Sequence, residues 1–135
     1  MQRKILIAAG FFGMLAVILG AFGAHALKSK LSADQLVTYH TGIEYQFYHT
    51  LALLGLGAVI QKNEHLVWLY RAALCFIVGI LFFSGSIYLL ACRELLSLQN
   101  WTKFIGPITP IGGLFFIIGW SMILMHALTE KPSNG

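Results

Sequence analysis

The sequence predicts an all-α integral membrane protein, four transmembrane helices in an up-down-up-down bundle. Three observations lead there. Of the 135 residues 58% are hydrophobic and 10% charged, whereas a soluble domain carries about 25% charge to face water. Four apolar stretches, 5–27, 43–60, 72–92 and 104–128, are long enough to cross a bilayer, which takes about 20 residues. Of nine Lys/Arg and five Asp/Glu, all but Glu44 fall outside those stretches. A mean hydropathy of +0.77 excludes a cytosolic globule, a disordered chain and a disulfide-stapled secreted fold. Lipid leaves backbone polar groups no partner but their own segment, so the stretches read as helices. Short connections favour antiparallel neighbours, and the length allows one domain, 1–135.

The first helix carries small residues at Ala9, Gly13, Ala16, Gly20 and Ala24, a stripe that lets a neighbouring backbone approach closely. Arg3-Lys4, an apolar run and Ala24-His25-Ala26 imitate a signal peptide, but the run exceeds the usual h-region of about 7–15 residues. It is read as a span. Before the second span, Ser32-Ala-Asp-Gln35 has capping-box spacing, so that helix extends back to residue 33. Tyr39, Tyr45 and Tyr48 then suit the headgroup level. The third helix repeats small residues at Ala72, Gly79 and Ser86. Cys75 and Cys92 share it about 25 Å apart, too far to bridge. The fourth opens on Gly106-Pro107-Ile-Thr109-Pro110. Either Thr109 caps a helix starting at Pro110, or a helix from 104 is kinked by its prolines. Both make 104–109 irregular backbone at membrane depth, to be buried in protein or set beside a wet cavity.

An even number of spans puts both termini on one side. That side holds Arg3, Lys4, Lys62, Arg71 and Lys131, and the other Lys28, Lys30, Arg93 and Lys103. The pair beside the amino terminus orients both termini to the cytoplasm of a cell (inner or plasma) membrane. The net charge of +4 is dispersed, which suits anionic headgroups and not nucleic acid. Membrane lipids are the expected partners, with self-association or a partner membrane protein left open.

Following the helices across the membrane gathers the unusual polar residues into one half. His25, His40 and Glu44 share a level, and His49 lies one to two turns deeper. The third helix brings Ser84, Ser86, Tyr88 and Arg93, and the fourth Thr109. The far half is apolar apart from His126. His40 and Glu44 share a helix face, as do Tyr45 and His49, while Glu44 and His49 are about 140° apart. Ionisable groups inside a membrane are costly and mark functional candidates. One reading is a pocket for a small amphipathic ligand, such as a lipid headgroup or quinone, built on the tyrosines and His49. The alternative is a metal-dependent membrane enzyme or a proton or ion conductor using His25, His49 and Glu44. No metal-ligand spacing supports it, and no cofactor is expected. A third reading needs no ligand: these side chains hydrogen-bond across helices and fix the bundle.

Gly20-Ala-Phe-Gly-Ala-His25, Tyr45-Gln-Phe-Tyr-His49, Phe83-Ser-Gly-Ser-Ile-Tyr88 and Ile108-Thr-Pro-Ile-Gly-Gly113 occur in order, one per helix. The set resembles the YgdD/YwdK-like family of small bacterial inner-membrane proteins, which has small eukaryotic membrane-protein relatives. The likeness covers about residues 4 to 128. It implies a four-span membrane protein and supplies no reaction, because the family is a domain of unknown function. Its motifs hold His25, Tyr45, Gln46, His49, Ser84, Ser86, Tyr88 and Thr109, which become the candidates for a ligand or polar cluster. His40, Glu44 and Arg93 rank behind them. The expected function is a binding or interaction module whose polar half takes a small amphipathic ligand, a lipid headgroup or a partner helix, with no catalytic motif.

Overall fold

The structure, a computed structural model, describes residues 2–60 and 66–129. Lys62 and Lys131, counted above in the charge balance, lie outside the described residues. Among the described residues the chain is helical with no strand. The helices are α1 (Gln2–Phe22, followed by a π-helical turn Gly23–Leu27), α2 (Ala33–Ile60), α3 (Val67–Gly79), α4 (Gly85–Ala91), α5 (Thr102–Ile105) and α6 (Ile108–Thr129). A second π-helical turn, Ile80–Ser84, joins α3 to α4 into one rod.

The start of α2 follows from its capping box. The Gln35 amide N–H donates to Ser32 Oγ at 3.3 Å, and the Ser32 N–H donates to Gln35 Oε1 at 2.9 Å. Each side chain satisfies a donor that the helix end would leave unpaired. The start of α6 is not at Pro110 and lies nearer the kinked alternative, a helical run whose irregular backbone is confined to 106–107 rather than extending over 104–109. The helix begins at Ile108, after the short α5 and a turn at 106–107. Pro110 sits in its first turn, where a missing N–H costs little. Thr109 does not cap, because its hydroxyl is bonded to Ser86.

Each long helix runs antiparallel to the one before it. Along α1 and α2, Gly13 meets Thr50, Gly20 meets Ile43 and Gly57 meets Leu6. The small stripe continues into Gly23, under the ring of Tyr39, while Ala24 is exposed. The tightest approach lies between α6 and the α3–α4 rod. A Cβ on Gly112 would stand 2.3 Å from the backbone nitrogen of Phe83. Only glycine permits two backbones to meet there. Towards the termini the core is apolar, built on Ala9, Phe12, Leu53, Phe76 and Phe116. At the other end Leu27, Leu31, Tyr39 and Ala91 form a smaller cluster.

Outside the bundle, Ile7, Phe11, Val17, Leu54, Ile117 and Leu128 are exposed, as an exterior facing hydrocarbon would be. Three segments, Gln2–Leu27, Val67–Ala91 and Gln99–Thr129, are long and apolar enough to cross a membrane. The expected fourth span, inside α2, is not among them. Its 28 residues include Asp34, His40, Glu44, Gln46, His49 and Thr50, which dilute its apolarity.

Candidate functional site: a sealed junction and an open cleft

The inner face of α2 positions two polar centres. Gln46, 1% exposed, occupies the middle of the bundle. Its Nε2 donates to the Phe12 carbonyl of α1 at 2.8 Å, and its Oε1 accepts from the Tyr88 hydroxyl of α4 at 2.8 Å. One side chain thereby ties three helices. Below it Thr50 donates to the Gln46 carbonyl at 2.7 Å, and above it Tyr39 donates to the Leu19 carbonyl at 2.9 Å. The Tyr39 and Tyr88 rings pack with centroids 5.1 Å apart. Gly42 makes room for Tyr88, since a Cβ there would lie 2.7 Å from its ring.

His49, one turn along α2, is 5% exposed and set among rings. It stacks on Phe116 of α6 at 3.5 Å and 8°, and meets Phe76 of α3 edge-on at 5.2 Å. Its Nδ1 lies 2.7 Å from the Tyr45 carbonyl. A carbonyl oxygen only accepts, so Nδ1 carries the proton and Nε2 is left as an acceptor. That acceptor receives the Trp120 indole N–H at 3.2 Å, the long end of the hydrogen-bond range. The two partners together select one neutral tautomer.

Beside His49 is a cleft of about 680 Å³ between α2 and α6, with Tyr45, Phe83, Phe116 and Trp120 among its walls. Its size falls in the range of ligand sites, about 300–1,000 Å³. The wall residues from Pro110 to Trp120 span about 15 Å of α6. Tyr45 is 39% and Trp120 50% exposed, so these two residues stand at the mouth.

The expected constellation is thus divided. Tyr45 and His49 line the cleft. Gln46 and Tyr88 are consumed in the junction. Ser86 donates to the Phe83 carbonyl at 3.0 Å, so Thr109 supplies the proton in their 2.6 Å contact and ties α6 to α4. Ser84 is fully buried in the second π-helical turn, its hydroxyl unpartnered among the described residues. His25 is exposed on the first π-helical turn, and His40 and Glu44 are exposed on α2. Arg93, half-buried, donates to the Leu90 carbonyl at 3.0 Å and lies 3.8 Å from Glu94. The structure therefore does not bring His25 and Glu44 to His49. Among the described residues no three His, Cys, Asp or Glu side chains converge as metal ligands.

Sequence reading missed Trp120, Phe116, Phe83 and Phe76, the rings around His49. Trp120 carried the one usable signal. A tryptophan midway along an apolar helix departs from the interfacial positions that this residue favours.

Fold and composition define a class, the all-helical multi-pass membrane proteins. The chain belongs to the family described as "Protein of unknown function (DUF423)", which matches residues 19–113. It is 40% identical over 130 residues to the UPF0382 inner membrane protein YgdD of Escherichia coli (strain K12), covering 96% of this chain and 93% of that one. To the UPF0382 membrane protein YwdK of Bacillus subtilis (strain 168) it is 37% identical over 127 residues, 94% and 98% of the two chains. The UPF0382 membrane protein SSP2132 of Staphylococcus saprophyticus is 40% identical over 124 residues, 92% and 96%. No solved structure matches.

Proposed function

We propose that this chain is a four-span protein of the bacterial inner (plasma) membrane with both termini in the cytoplasm. Its work is binding: the His49 cleft takes a small amphipathic ligand from the lipid phase. The name of the Escherichia coli relative supports the location. For the fourth span, the support is where α2 keeps its polarity. Gln46, His49 and Thr50 are buried and hydrogen-bonded inside the bundle rather than presented to lipid. Its 28 residues make about 42 Å, more than the roughly 30 Å of hydrocarbon. Glu44 and His40 then fall at the headgroup level, where an exposed charge is tolerated.

The observation that carries the binding reading is the pairing of His49 with Trp120. A buried imidazole acceptor is closed only by a half-exposed side chain, at the edge of a cleft of ligand size. Aromatic walls with one placed polar group are the usual make-up of a small-molecule site. Two experiments test the topology and the binding. Reporters at each end of the chain should both report cytoplasm; termini on opposite sides would remove α2 from the spans. A photoactivatable long-chain alcohol added to membranes should label Tyr45, Leu114 and Trp120 above exposed positions elsewhere, such as Val17 and Leu54. Uniform labelling around the bundle would overturn the binding reading.

A further inference from the structure

We propose that the cleft is selective for amphiphiles whose polar end is a hydroxyl on an aromatic ring: a phenol or hydroquinone head on an apolar tail. This rests on the binding reading above and narrows it to a ligand class. Two hydrogen bonds of fixed direction define the polar end that fits. Nδ1 of His49 is held as a donor by the Tyr45 carbonyl, so Nε2 can only accept. The Trp120 indole nitrogen can only donate, and the two atoms satisfy each other at 3.2 Å. A ligand that parts them must replace both partners. Its polar atom must accept from the indole and donate to the imidazole.

A hydroxyl does both. A ketone, ether, ester or quinone carbonyl accepts only, which leaves the buried Nε2 without a donor. A site built around a hydrogen bond rejects the analogue that lacks it more strongly than an apolar pocket rejects a shape. An ammonium head donates but cannot accept from Trp120. The rest of the cleft selects the ring. Tyr45 and Phe83 lie with centroids 4.5 Å apart, and Phe116 underlies His49. A flat head entering the cleft meets these aromatic walls, while its tail leaves past the exposed Leu114 and Ile117 towards the lipid. Trp120 is the moving part. Its half-exposed indole can open away from Nε2 and turn its N–H onto the ligand's oxygen, whereas His49 is fixed by its stack and by the Tyr45 carbonyl.

The test compares a para-alkylphenol with its methyl ether, which keeps the ring and tail and loses the donor. Affinities are measured by calorimetry on the full chain in detergent micelles. The phenol should bind about tenfold more tightly than the ether to the native chain. In His49→Phe the ring stack is retained and the acceptor is gone, so the ratio should fall towards one with both compounds still bound. His49→Gln, which restores an acceptor oxygen, should recover part of the preference. Trp120→Phe should keep the preference, because the donor to the imidazole belongs to the ligand. Equal affinity of phenol and ether for the native chain would overturn the hydroxyl claim and leave the cleft as a binding site. A preference that survives in His49→Phe would overturn it as well. Failure of both compounds to bind the native chain would remove the cleft reading itself.

Discussion

Gln46 and His49 lie three positions apart on one helix, both buried, yet their surroundings are opposite in kind. Gln46 bonds to atoms on two other helices and is 1% exposed. Its polarity is saturated by the fold and joins α1, α2 and α4. His49 has one bond to its own helix and one to a side chain that faces out. Its second partner is half-exposed and sits on a cleft wall, so in the proposed function that bond is the exchangeable one. The difference teaches how to separate structural polarity from functional polarity in a membrane bundle. Burial does not do it, since both residues are buried. What separates them is whether the partner is locked in the core or free to be replaced.

Substitutions can break this contrast, beginning with the contact that frames both centres. Gly112→Ala forces a methyl into the Phe83 backbone and should lower stability by about 3 kcal/mol, read from unfolding in mixed micelles. Next is Gln46→Leu, which strands the Tyr88 hydroxyl. Interhelical hydrogen bonds in membranes are worth about 1–2 kcal/mol at most, and that is the loss expected. A double-mutant cycle with Tyr88→Phe should show coupling of about 0.5 kcal/mol or more. Zero coupling would mean that the junction does not act as a unit. His49→Phe, in contrast, should change stability by less than about 1 kcal/mol while altering ligand preference. Smallest of all, His25→Ala and Glu44→Ala replace exposed side chains and should stay within about 0.5 kcal/mol, with ligand preference unchanged.

Much of the fold was readable because bilayer physics is severe. Apolar length and excluded charge located the rods, and Ser32 with Gln35 located the start of α2. Of the two openings the sequence allows for the fourth helix, the Thr109 cap is not the one adopted, because a sequence shows only the local use of a hydroxyl and here Ser86 on another helix claims it. The small stripe on α1 was legible as packing, yet its last member is Gly23 and not Ala24. The candidate site was readable as a list of residues and not as an arrangement. Helix spacing puts Tyr45 and His49 on one face, and both line the cleft. It could not say that His25 faces outward or that Gln46 reaches the Phe12 carbonyl, since a backbone acceptor leaves no trace in sequence. Rotation of each helix about its axis decides such questions, and that is set by neighbours.

The central claim is that His49 is the exchangeable polar group and Gln46 the fixed one. Nitrogen NMR of the His49 ring and the Gln46 amide, in one labelled sample, tests it most directly. His49 should be neutral, with Nδ1 protonated and Nε2 bare. Adding a para-alkylphenol should move the Nε2 signal and leave Nδ1 and the Gln46 amide in place. A proton on Nε2 in the free protein, or a response at Gln46 with His49 silent, would contradict it.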